Sequence, residues 1–188
     1  MSKRKQIVSI LALGACFCAS AANMRELTFQ VAMPAKESPV IDGVLDDACW
    51  KSATVHSDYY EYLVPNPRRV TNTKTDCMIV YDAKGVYTGI RNWEDQPEKL
   101  RQNCKKNNQD SIWTDDCGEI FYDPDAAGIG YYKFIVNSLG KVDTAWRMDG
   151  ANMHEDWTCG GLSCAAKVFS DRWEVELFIP WSVFHNRP

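Results

Sequence analysis

The feature that most limits the fold of this chain is a succession of short alternating runs, each closed by turn residues. Across residues 73–81, Thr75, Cys77, Ile79 and Tyr81 share one face and Asp76, Met78 and Val80 the other, the period of two that a strand requires. Asp82-Ala83-Lys84-Gly85 is a short turn, and residues 86–92 return with Val86, Thr88 and Ile90 set against Tyr87, Gly89 and Arg91. The two runs therefore form a hairpin. A second hairpin is expected at 131–137 and 141–147 around Ser138-Leu139-Gly140, and a third at 162–169 and 173–179 around Ser170-Asp171-Arg172. In the last strand, alternation puts Trp173, Val175, Leu177 and Ile179 in the core and Glu174 and Glu176 in a solvated outer row, with Pro180 as terminator. Further runs at 27–32, 54–62 and 117–122 bring the total to about nine short strands with no long helical pattern, which predicts an all-β fold, an antiparallel β-sandwich. Asp46 or Asp47 can cap one short helical turn that carries Trp50 inward as a core anchor.

The 188 residues suffice for one domain with a sizeable core. Basic residues form no run beyond Lys3-Arg4-Lys5, which argues against nucleic acid as a partner. That basic triplet, the apolar run 7–15 and the small residues through Ala22 read as an export signal over residues 1–22. Two cleavage readings stand: ordinary processing after Ala19-Ser20-Ala21, or a lipobox at Leu13-Gly14-Ala15-Cys16 that leaves a lipid anchor on Cys16. Either way the sandwich domain, 23–188, is expected to be secreted, periplasmic or anchored at a bacterial cell envelope. Six cysteines remain (Cys49, Cys77, Cys104, Cys117, Cys159 and Cys164). In an exported chain they suggest disulfides, with Cys159 and Cys164 as the nearest pair and buried free thiols as the alternative.

The stretch most suggestive of function starts as a polar loop and ends as a strand. It brings Trp113, Asp115, Asp116 and Glu119 together before the Asp123-Pro124 turn. A flat ring beside carboxylates suits sugar recognition, because C–H faces stack on the ring and hydroxyls donate to charged acceptors. The same residues also allow Trp113 to plug a core edge while the acids are solvated. The polar excursion from 94 to 109 delivers the chain to Trp113 and reads as one wall of a site or as a solvated loop. Asp115, Asp123 and Asp125 bracket the strand with oxygen donors of the type calcium takes.

Several ordered motifs resemble family 9 carbohydrate-binding modules: Ile41-Asp42-Gly43-Val44-Leu45-Asp46-Asp47 followed by Trp50, the Tyr81-Asp82 to Tyr87 hairpin, Asp116 with Glu119-Ile120-Phe121, the run from Tyr131 to Asn137 with Gly140, and Trp173-Glu174-Val175-Glu176 followed by Ile179-Pro180-Trp181. The resemblance implies a non-catalytic sandwich that holds a saccharide, in known members a terminal unit, between two tryptophans with carboxylate and amide hydrogen bonds. Such modules usually accompany secreted glycoside hydrolases, and some carry structural calcium. Carried over, Trp113 is one wall of the aromatic pair, Glu119 a hydroxyl acceptor, Asp116 a site or structural acid, and Asn137 an amide partner. An arginine that assists the family's sugar binding falls at Ile135. The family's second tryptophan and closing strand lie past the Ile-Pro-Trp motif, whereas this chain stops at Pro188, so the expectation is a fragment of a longer protein that lacks its last strand, or an incomplete site, with Trp157 or Trp146 as the alternative second wall.

Hydrolysis by this chain alone would need two carboxyl groups about 5 to 9.5 Å apart across the bond. On a strand Asp116 and Glu119 point to opposite faces, and Asp115 and Glu119 stand about 13 Å apart. Glu174 and Glu176 share a face at about 7 Å, but as a solvated row. Two other readings remain from sequence: a haem-binding electron-transfer sandwich with axial ligands from Met148, Met153 and His154, and an adhesion or scaffold domain without a glycan.

Overall fold

The computed structural model describes residues 31–57, 59, 73–124, 126, 130–147, 154 and 157–185. The export signal at 1–22 with its Cys16 reading, most of the run at 27–32, part of that at 54–62, and Asp125, Met148 and Met153 lie outside the described residues. The strands are β1 (Ala32–Pro34), β2 (Thr75–Tyr81), β3 (Gly85–Trp93), β4 (Cys117–Tyr122), β5 (Tyr131–Asn137), β6 (Val142–Arg147), β7 (Ser163–Val168) and β8 (Arg172–Pro180). The helices α1 (Ala48–Ser52) and α2 (Ser182–His185) are one turn each.

Two sheets face one another, a five-stranded one in the order β1-β2-β3-β8-β7 and a three-stranded one in the order β4-β5-β6. Each expected hairpin forms: β2 with β3, β5 with β6, and β7 with β8. The one parallel pair among the described strands is β1 with β2. Of the run at 54–62, His56 makes a single bridge to Cys77. Between the sheets lie Cys77, Val86, Ile90, Phe134, Val136, Val175, Leu177 and Ile179. The core side of β8 is therefore the one alternation assigns.

The other side of β8 corrects the sequence expectation. Glu174 and Glu176 are 1% and 0% exposed, because residues 41–53 lie across the outer face of the five-stranded sheet and make a second core from Leu45, Cys49, Trp50, Met78, Val80 and Tyr87. The two carboxylates are held by donors from that covering segment. Glu176 Oε2 accepts the N–H groups of Asp42 at 2.9 Å and Gly43 at 2.8 Å, and Oε1 accepts the Trp50 indole N–H at 2.8 Å. Glu174 Oε2 accepts the N–H of Leu45 at 2.9 Å, while Oε1 takes Arg91 Nε at 2.7 Å and Arg172 Nε at 2.9 Å. Buried charge is tolerated where its lone pairs are so occupied. Trp50, 3% exposed, is the core anchor its sequence context suggests. Asp47 stands at the start of α1 but caps no helical N–H with its side chain; its carboxylate accepts the N–H of Val40 at 3.0 Å.

Two glycines permit close approach of the layers at β7. Gly43 has φ +86 and a Cβ there would come within 2.7 Å of the Ala166 backbone; Gly140, at the β5–β6 turn with φ +69, would meet it at 2.9 Å. Only glycine takes such a conformation at no steric cost. The expected Cys159–Cys164 disulfide is not formed, and all six described cysteines are free. They behave as small apolar side chains, burial pushing the Cys159 and Cys164 thiols up to about 11 and about 12.

Glu176→Ala would strand the buried N–H groups of Gly43 and Trp50 and the half-buried one of Asp42, so a loss of about 3–5 kcal/mol in urea unfolding is expected, with a smaller loss for Glu176→Gln. Acid should also destabilise the protein. For Glu174, Asp76 and Asp82, burial works to raise each carboxyl but hydrogen-bond donors outweigh it and hold them below their ordinary values. Carboxyls of this kind add stability above their unfolded values, near 4, and lose it as pH falls through the folded ones. Glu176 runs the other way, since burial raises it. The melting temperature is therefore expected to fall from pH 6 to about pH 3, because the lowered carboxyls outnumber the raised one.

Candidate functional site

Trp113 sits on a single 3-10 turn, Ile112–Thr114, immediately before β4. The turn is closed by the Thr114 N–H and hydroxyl, both donating to the Ser111 carbonyl at 2.8 Å, and Ser111 enters it in the left-handed region at φ 72. Neighbouring positions of the turn have opposite fates. Ile112 is 1% exposed and Trp113 is 66% exposed. Ile112 packs with Cys104, Cys117 and Ile135 on the outer face of the three-stranded sheet, so the turn is seated on that face and leaves the indole open.

The polar residues of the preceding excursion explain how such a loop stays in place. Asn108 runs along the edge of β6, its N–H donating to the Val142 carbonyl at 2.9 Å and its side-chain oxygen accepting the N–H of Thr144 at 3.2 Å. Asn107 Oδ1 accepts the Val142 N–H at 3.1 Å, and Gln109 Oε1 accepts the N–H groups of Lys105 and Lys106. Side-chain amides thus supply partners that a continued sheet would have supplied. Beneath the turn, the buried Asp115 carboxylate accepts the N–H groups of Asn103 and Cys104 and the Asn137 amide, each at 2.9 Å. Burial would raise this carboxyl, but the Cys104 and Asn103 N–H groups and the Asn137 amide hold it below its ordinary value.

These contacts correct two sequence assignments. Asn137 is 0% exposed, with Nδ2 donating to the Cys104 carbonyl and Asp115 and Oδ1 accepting the Leu139 and Lys141 N–H groups. Its amide is saturated and cannot bond a ligand. Asp115 is likewise taken up, buried beneath the turn with its carboxylate on two backbone N–H groups and the Asn137 amide rather than open to a calcium ion. Asp116 is half-buried and clasps Arg101, accepting its N–H at 2.5 Å with Nε at 3.9 Å, a loop-closing role.

Glu119 is exposed on β4, paired with Ile135. Ile120 and Tyr122 face the sandwich core, so alternation puts Glu119 on the outer face, the side on which the Trp113 turn rests. Ile135, 2% exposed, is the residue on which Ile112 lies; the position that carries an arginine in the resembled family serves here as a seat for the platform. Trp157 stands elsewhere. Its ring meets Tyr132 at 5.4 Å and Phe134 at 6.2 Å, core-facing residues of β5, so it is not a second wall across from Trp113. Trp146 pairs with Tyr132 and stacks on His154 at 4.2 Å and 6°, which places it on the core side as well. Among the acid pairs weighed for hydrolysis, Glu174 and Glu176 are closed to solvent.

The sequence profile of the carbohydrate family 9 binding domain-like family matches residues 41–187. The chain belongs to that family. Membership makes it a domain of carbohydrate-binding type, and the matched range takes in the 41–50 segment, β4 and β8. Solved structures share the fold. A candidate carbohydrate-binding protein from Bacteroides uniformis superposes with TM-score 0.64 at 15% identity, over 84% of this chain and 74% of that one. A family 9 module from Caldicellulosiruptor kristjanssonii in complex with cellotriose gives 0.57 at 18% identity, over 81% and 67%. The glucose complex of a family 9 module from that organism gives 0.57 at 19%, over 85% and 70%. No curated protein matches the chain in sequence.

Asp115→Ala leaves the buried N–H of Cys104, the half-buried N–H of Asn103 and one N–H of the Asn137 amide without their acceptor. The expected cost is about 2–4 kcal/mol in denaturant unfolding, with raised protease sensitivity in residues 101–116.

Proposed function

We propose that this chain binds a saccharide without catalysing its cleavage, with the Trp113 indole as stacking plane and Glu119 as acceptor for sugar hydroxyls. The observation that carries the reading is an indole two-thirds open to solvent on a turn held from below by the Asp115 hydrogen bonds and by Ile112 packed on Ile135. The loop beneath the exposed ring has given up its backbone freedom before a ligand arrives, which lowers the cost of binding. Glu119 lies on the same side, and charge-assisted bonds to its carboxylate give the hydroxyls direction. The two Caldicellulosiruptor complexes make β-glucan fragments the first ligands to try. The export reading of residues 1–22 fits this function, since polysaccharides are met outside the cell, and we place the chain as an accessory to extracellular glycoside hydrolases.

Titration calorimetry with cellotriose and xylotriose tests the reading. Trp113→Ala is expected to lose at least about tenfold in affinity, about 1.4 kcal/mol, with unchanged thermal stability because the ring is exposed. Glu119→Gln should lose less. Wild-type affinity in Trp113→Ala would exclude this ring as the platform.

A further inference from the structure

The face that carries Trp113 continues past Glu119. The next outward side chain on β4 is Phe121, 53% exposed, and its ring meets that of Tyr131 edge-on at 5.3 Å and 80°. Neither ring belongs to a core cluster. Cross-strand register sets Lys133 directly beside Phe121 and Arg147 directly beside Tyr131, at the spacing of about 5 Å that neighbouring strands impose. The row nearer Trp113 has the opposite character, running Glu119, Ile135, Asp143. One sheet face therefore carries an indole and acids at one end, and an aromatic pair with two cations at the other.

The distances suit a chain of sugars rather than one unit. Cys117, on which the Trp113 turn rests, lies about 13 Å along the strand from Phe121, and Glu119 about 7 Å. A ring stacked at the far end would bring its substituents beside Lys133 and Arg147, and a guanidinium is suited to a carboxylate because it donates two parallel bonds. The whole chain has a net charge of −4, so attraction to an anionic glycan cannot come from the overall field and has to be local.

We propose that Phe121 and Tyr131, bordered by Lys133 and Arg147, form a second subsite that takes a uronate unit of an acidic oligosaccharide, a neutral unit of which, further along the chain, lies on Trp113. The subsite rests on the Trp113 reading and extends it from a neutral sugar to a charged, longer ligand. The decisive comparison is calorimetry on the full chain with two xylo-oligosaccharides of equal length, one undecorated and one bearing a glucuronate. The decorated ligand is expected to bind at least about fivefold tighter, and that margin should shrink in about 0.5 M salt, where exposed charges are screened. Phe121→Ala, and separately the pair Lys133→Gln with Arg147→Gln, should bring its affinity down to that of the undecorated ligand in the wild type. Equal affinities for the two ligands, or a margin that survives the double substitution, overturn the subsite. Trp113→Ala keeps the two readings apart: if it abolishes binding of both ligands while wild type shows no margin, the uronate subsite alone has failed.

Discussion

The carboxylate of Glu176 is the contact on which the architecture turns. A lone buried acid on the middle of a strand would be unstable, yet this one gathers two consecutive backbone N–H groups and an indole N–H from residues more than a hundred positions earlier. Because its acceptors match those donors, the 41–53 segment has one place to lie, and that place roofs the outer face of the five-stranded sheet. The sheet is then buried on both sides, which is why β3 shows an unbroken buried run from Gly85 to Ile90 instead of alternation. Glu174 repeats the device one step along the strand with Leu45 and two arginines. Sheet geometry supplies the spacing; the covering segment supplies the donors.

The site end is built on the same chemistry with the roles of layer and loop exchanged. There Asp115 and Asn137 hold a loop against the three-stranded sheet, and Ile112 on Ile135 gives it an apolar footing. A polar stretch that looks unstructured by composition is ordered because its amides bond main chain. The outcome is a rigid support for an exposed ring, the condition under which stacking gains most.

Much of the fold was legible in the sequence, because alternation and turn chemistry are local. The three hairpins, the core side of β8 and the inward Trp50 all follow from patterns a few residues long. What failed was of another kind. Alternation tells which residues share a face and is silent on what covers that face, so Glu174 and Glu176 read as solvated when a segment distant in sequence buries them. Asn137 and Asp115 failed because an amide or a carboxylate reads alike whether it meets ligand or main chain. Trp157 failed because a lone aromatic in a loop carries no sign of the ring it will pack on. Phe121 lies two residues from Glu119 on the same side of a half-open strand, a placement that alternation alone makes readable.

At Ala166 three layers approach main chain to main chain, with Gly43 arriving from the covering segment and Gly140 from the opposite hairpin. Such a pinch point has a consequence for descent. Neither glycine can acquire a side chain while the strand between them holds its course, so in related lineages these positions should drift together or not at all, and insertions should collect at the rim where the layers part.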